Sequence, residues 1–176
     1  MDNESNKYIL LRSFVFLLSF LVLHFAYDWF PTVIIGIFSG VNEAVWQHMK
    51  IGFYSYLIII LIECALFRKK ISNRTSFFFS KIFMALLYPW VMFILFFVTR
   101  IIYPWEFPEI VEIITAIIIT YVSGVFSGYI ELDLAKIQYG RRLKVLIIIL
   151  AIFLVIEFTA FTFYLPWHDV LADPYV

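Results

Sequence analysis

The sequence predicts an all-α, polytopic membrane bundle of five transmembrane helices plus a short interfacial or re-entrant segment, and three observations predict it. The 176 residues are 64% hydrophobic and 15% charged, against about 45–50% apolar and 25% charged usage in soluble domains. Five apolar runs are long enough for a helix to cross a hydrocarbon core of about 30 Å. Lysine and arginine fall almost wholly on one side of those runs, as they do in cytoplasmic loops.

The first run, 8–29, follows a weakly basic stretch but has no small-x-small cleavage site after it, so it reads as an uncleaved anchor. Segment 31–41, PTVIIGIFSGV, is apolar but too short to cross, which fits the interfacial or re-entrant piece. The second run, 51–67, is preceded by GVNEAVWQHMK at 40–50. There Asn42 is a good N-cap type and Glu43 falls in the first helical turn, where the macrodipole favours negative charge. On that reading Trp46 anchors the helix head at the interface, Lys50 snorkels and His48 points to a different side from Glu43 and Gln47. The third run, 77–102, carries Pro89-Trp90 midway, which marks a kink. In the fourth, 109–132, Ser123, Gly124, Ser127 and Gly128 give small-x-x-x-small spacing, which serves either packing within the bundle or a homo-oligomer through the Gly124/Gly128 face. The fifth run is 145–165, and the tail PWHDVLADPYV is expected to fold back across the outer mouth. None of the runs has the dyad alternation of a barrel strand, and backbone in lipid must be satisfied within its own segment. Residues 1–176 thus read as a single integral membrane domain.

Orientation follows from the cations. One face receives Lys7, Arg12, Arg68, Lys69, Lys70, Arg74, Lys81, Lys136, Arg141, Arg142 and Lys144, the other only Lys50 and Arg100. Eleven against two places the amino terminus in the cytoplasm and the carboxyl terminus outside, in a multi-pass protein of the cell (inner) membrane. Trp29, Trp46, Trp105 and Trp167 then fall near the outer interface. Thirteen basic residues balance thirteen acidic ones, so no basic surface invites nucleic acid. Cys64 is the single cysteine, which excludes an intramolecular disulfide framework and multi-cysteine metal knuckles. Five spans do not divide into the equal halves of an inverted-repeat transporter.

All three histidines, His24, His48 and His168, lie toward the outer face. His24 and Asp28 are four apart and share a helix face, so the carboxylate can accept the imidazole N–H, or Asp28 simply ends the helix. His24, His48 and His168 can supply three ligands for zinc, with Asp28, Glu43 or Asp169 as general base or supporting acceptor. No local H-E-x-x-H or similar motif accompanies them. Glu157 is the deepest charge, about 18 Å into its span at about 1.5 Å per residue. It either shares a proton or ion pair with His24 or stays protonated among bundle hydroxyls. Glu63, near the end of its span and near Arg68, reads as snorkelling or locally paired.

Asn42, Glu43, Trp46, His48 and Lys50 resemble an N-E-x-x-W-E-H-x-K signature of a family of small, uncharacterised prokaryotic integral membrane proteins. The pattern departs at Gln47, where the signature has Glu, and Asp173-Pro174 resembles an acidic D-P near the carboxyl end. The resemblance implies a family and no activity. The residues themselves predict an outward-facing polar cavity for a lipid or lipid-like ligand, an ion or a partner. The alternatives are a membrane-embedded metal-dependent hydrolase acting on a lipid-like substrate and a proton-coupled carrier using Glu157 and His24. No serine-nucleophile motif, phosphate-binding loop, haem motif or redox cysteine pair decides whether the protein is an enzyme.

Overall fold

The computed structural model describes residues 3–67, 69, 71, 73–102 and 108–164, excluding the side chains at 3, 4 and 100. Six helices occupy them: α1 (Asn3–Trp29), α2 (Val33–Phe38), α3 (Val45–Phe67), α4 (Arg74–Ile102), α5 (Glu109–Leu134) and α6 (Arg141–Phe163). All but α2 are long and apolar enough to cross a membrane. The helices outrun several of the apolar stretches by a polar turn, because only the hydrocarbon-spanning part of a membrane helix must be apolar. The start of α4 shows this: Asn73 Oδ1 accepts the Ser76 N–H at 3.0 Å, and Arg74 to Ser76 form a polar first turn before Phe77.

Helices α1, α3, α4 and α5 pack in a ring in which each touches two neighbours, while α6 leans on α4, α3 and α2 from outside. Successive spans run antiparallel, which leaves two ends. One carries the amino terminus with the α3–α4 and α5–α6 connections, and the other, here the mouth, carries α2 and the head of α3. The middle of the ring is aromatic: Phe16 packs against Tyr88 at 4.6 Å between centroids, and Tyr56 stands 5.8 Å from Tyr88. Rings this bulky need small partners. A methyl at Gly52 would overlap the Tyr88 ring, so Gly52 permits α3 to approach α4.

The small residues of α5 face inward. A Cβ at Gly128 would lie 2.8 Å from Ile9, and one at Gly124 3.3 Å from Phe16. The Gly124/Gly128 face is therefore occupied by α1 of the same chain, which favours packing within the bundle over a homo-oligomer through this face. Helix α4 continues through Pro89, which is buried while Trp90 is exposed. Trp46 is not a lipid-facing anchor, since its ring sits 4.9 Å from Phe158 and 5.4 Å from Phe161 of α6. Nor does Lys50 snorkel: it has 0% exposure. Of the belt tryptophans, Trp105 and Trp167 lie outside the described residues, as do His168, Asp169 and Asp173.

Candidate metal centre

The turn before α3 decides where Glu43 points. The Asn42 carboxamide accepts the Ala44 N–H at 3.2 Å, a local bond that competes with helix. The Ala44 carbonyl then becomes the first helical acceptor, receiving the Gln47 N–H at 2.9 Å and the His48 N–H at 3.3 Å. The helix consequently starts at Val45, and Glu43 precedes it instead of lying in its first turn. No longer tied to the 3.6-residue period, its carboxylate stands close to His48, whereas helical spacing had pointed the two apart.

Two imidazoles meet that carboxylate. His48 Nε2 is 3.5 Å from Glu43 Oε2, and His24 Nε2 is 3.7 Å from Glu43 Oε1. The imidazole centroids are 5.2 Å apart, and one ligand atom from each of the three residues lies within 4.8 Å of the other two. His48 Nδ1 is 3.0 Å from the Ala44 carbonyl oxygen. Nδ1–H donating there leaves the Nε2 lone pair turned toward Glu43, the arrangement that orients a ligating histidine. Phe20, one turn before His24 on α1, stacks against both rings at 6.4 and 6.3 Å. Glu43 is about half exposed, with 48% of its side-chain surface open, so the group is accessible from the mouth.

Neutral imidazole and carboxylate are donors that suit a divalent transition metal. Zinc bonds of about 2.0–2.1 Å in a tetrahedron place neighbouring ligand atoms about 3.4 Å apart. The two His–Glu separations, each to a different Glu43 oxygen, are near that edge length, while one ligand atom from each of the three residues spans up to 4.8 Å, so a bound ion would draw the three together.

The other sequence candidates fall elsewhere. Asp28 is exposed at the end of α1, and among the described residues no hydrogen bond joins it to His24, whose buried Nδ1 has no partner. Glu157 is half-buried on α6, and among the described residues it forms no hydrogen bond or ion pair, with His24 or otherwise. His168 and Asp169 lie outside the described residues.

The largest polar assembly was not singled out in the sequence. At the amino-terminal end, Arg12 of α1, Glu63 of α3, Lys81 of α4 and Glu131 of α5 form a closed quartet. Arg12 Nε lies 2.8 Å from Glu63 Oε1, Arg12 Nη2 2.6 Å from Glu131 Oε2, and Lys81 Nζ 2.6 Å from Glu63 Oε2. Lys81 also bonds Glu131. Two tyrosines complete it: Tyr8 donates to Glu63, and Tyr56 accepts from Arg12 at 3.1 Å while donating to Glu131 at 2.5 Å. Glu63 therefore neither snorkels nor relies on a local partner; its 3% exposure reflects pairing with two cations from other helices. The available signal was weak: Arg12, Glu63, Lys81 and Glu131 each stand within or beside an apolar run, where an ionised group needs a partner. Nothing in the spacing says which partner.

No curated protein and no solved structure matches the chain. One family model does, over residues 1–175, and it describes a family of unknown function (DUF6512). With nearly its whole length matched and an apolar helical bundle of the kind the resemblance implied, the chain belongs to that family.

Proposed function

We propose that the protein is a multi-pass protein of the cell membrane that binds a divalent transition-metal ion, zinc by its donor set, through His24, Glu43 and His48 on the face away from the cytoplasm. The observation that carries this reading is the convergence of two imidazoles and a carboxylate, from α1, α3 and the turn between α2 and α3, within 4.8 Å. The hydrogen bond at His48 Nδ1 and the stacking of Phe20 on both rings support it, because they hold the imidazoles before any ion arrives. The placement outside rests on the eleven-to-two distribution of cations.

A metal-dependent hydrolase acting on a lipid-like substrate is the second reading, favoured by one feature. Three protein ligands of the His/His/Glu type leave a fourth tetrahedral position for a water, as catalytic zinc sites require. The carrier reading has no comparable support, since Glu157 and His24 share no contact among the described residues.

Elemental analysis of detergent-purified protein, loaded with zinc and dialysed, tests the reading. Wild type should retain about one zinc per chain, and His48→Ala should lose it while remaining monodisperse. Wild type that retains no transition metal overturns it. Cysteines introduced at Asn73 and Arg141 should be labelled only from the cytoplasm and one at Glu43 only from outside; the reverse would place the site on the wrong face.

A further inference from the structure

We infer a second, separate site: Trp46, Gln47 and Lys50 at the head of α3 form a buried binding site for a small inorganic monoanion of the chloride class. It is independent of the metal reading, because Lys50 and His48 lie two residues apart and so on nearly opposite sides of α3.

The case is one of counting donors and charge. Lys50, with 0% exposure, donates to the Gly36 carbonyl and to Thr162 Oγ1, each at 2.8 Å. An ammonium has three N–H groups, so one remains, and both of its acceptors are neutral. Among the described residues no carboxylate pairs with it. Gln47, also at 0% exposure, has neither its Nε2 nor its Oε1 hydrogen-bonded, and the buried Trp46 Nε1–H has no acceptor. Trp46 and Lys50 are four apart and Gln47 and Lys50 three apart, so the three share one side of the helix. The unmet groups are one ammonium N–H, one indole N–H and two amide N–H against a single amide oxygen.

With Lys50 protonated, donors exceed acceptors and the local charge is positive. The first turn of α3 adds to that sign, since it contains no acidic residue and a helix N-terminus carries partial positive charge. Buried polar groups left unpaired in a native structure call for a water or an ion. Water could meet the hydrogen bonds but would leave a lysine charge uncompensated within a membrane-spanning helix, which is costly. An anion meets both demands. The complete burial of Lys50 and Gln47 selects a small one, so a halide fits better than a phosphate headgroup.

Thermal unfolding of the detergent-purified full chain, in sodium chloride or bromide against sodium gluconate at constant ionic strength, tests the assignment. Wild type should gain about 4 °C at saturating halide, with a hyperbolic dose dependence. Lys50→Met should lose the dependence. Because Lys50→Met could fail to fold, Gln47→Glu is the second variant. It places a carboxylate one turn from Lys50, so it should fold, match or exceed the halide-bound wild type in gluconate, and no longer respond to halide. A wild-type Tm that ignores anion identity, or a halide response that survives in Gln47→Glu, overturns the inference. So does a bromide-soaked structure without an anomalous peak beside Lys50 Nζ.

Discussion

At the amino-terminal end of the bundle, Arg12, Lys81, Glu63 and Glu131 meet within 2.8 Å, at no more than 12% side-chain exposure, with each cation touching both acids. At the mouth, His24 and His48 stand 3.7 and 3.5 Å from one half-exposed carboxylate. Both groups draw an ionisable side chain from α1 and another from α3, yet they differ in how closely their charges are paired. The quartet has two positive and two negative charges and spends them on one another and on two tyrosines, so a ligand entering it would have to displace an existing bond. The mouth has two imidazoles whose Nε2 atoms stand farther from one carboxylate than a good hydrogen bond allows, so an ion entering between the three displaces no close bond among them. Close, balanced charge pairing marks the first group as structural, and two imidazoles converging on a half-exposed carboxylate mark the second as a candidate binding centre.

Breaking the saturated end should have the largest effect. Glu131→Gln leaves Arg12 and Lys81 to share Glu63 and gives Tyr56 a neutral amide in place of its charged acceptor. Stripping one partner from a buried ion pair costs about 3–5 kcal/mol, because the remaining charge stays buried without compensation. We expect Tm to fall by about 10 °C, measured by thermal unfolding in detergent. A fall of less than about 2 °C would mean that water reaches the quartet and that it is not the clamp described here.

Adding Lys81→Met to Glu131→Gln sharpens the point. The double variant retains Arg12 and Glu63, a neutral pair, so it should be more stable than Glu131→Gln alone. A double-mutant cycle should give a coupling of about 1–3 kcal/mol between residues 81 and 131. A coupling near zero would show the two charges to be independently solvated.

The mouth should respond to an ion instead of to charge removal. Zinc at about 100 times its dissociation constant stabilises the state that binds it by about 2.7 kcal/mol, so wild-type Tm should rise by several degrees. In Glu43→Gln the rise should disappear, while the metal-free Tm should stay within about 2 °C of wild type, as for other surface changes. If metal-free Glu43→Gln were as damaged as Glu131→Gln, the contrast between the two ends would be lost.

The sequence made the spans legible because apolar length is a local property: each run could be read without knowing its neighbours. It also made His24, Glu43 and His48 legible as members of one end, because helix direction alone sorts residues by depth. What it withheld depends on rotation and on partners. Asn42 looks like a cap and so predicts a helical turn at Glu43, whereas the Asn42–Ala44 bond that delays the helix until Val45 depends on the chain path out of α2. A lysine near a span end can usually snorkel, and only the closure of α2 and α6 over Lys50 prevents that. The quartet is illegible in the sequence for the same reason on a larger scale, since four charges on four helices have no spacing in common.

The smallest effect is expected at Asp28, and it examines whether His24 lacks a supporting acceptor as the distances indicate. Helical spacing puts Asp28 four residues after His24, and a carboxylate accepting the imidazole N–H would raise the basicity of a ligating histidine and hold its ring. In the structure Asp28 is exposed, His24 Nδ1 is buried without a partner, and among the described residues no hydrogen bond connects the two. Losing a true supporting acceptor typically weakens metal binding about 10–100-fold. Asp28→Asn should instead leave zinc affinity within about threefold of wild type, a change below about 0.7 kcal/mol, when measured by competition with a chromogenic chelator. A tenfold loss would mean that Asp28 swings onto His24 once the ion is bound. The mouth would then resemble the quartet in its bound state, and the difference between the two ends would be one of occupancy.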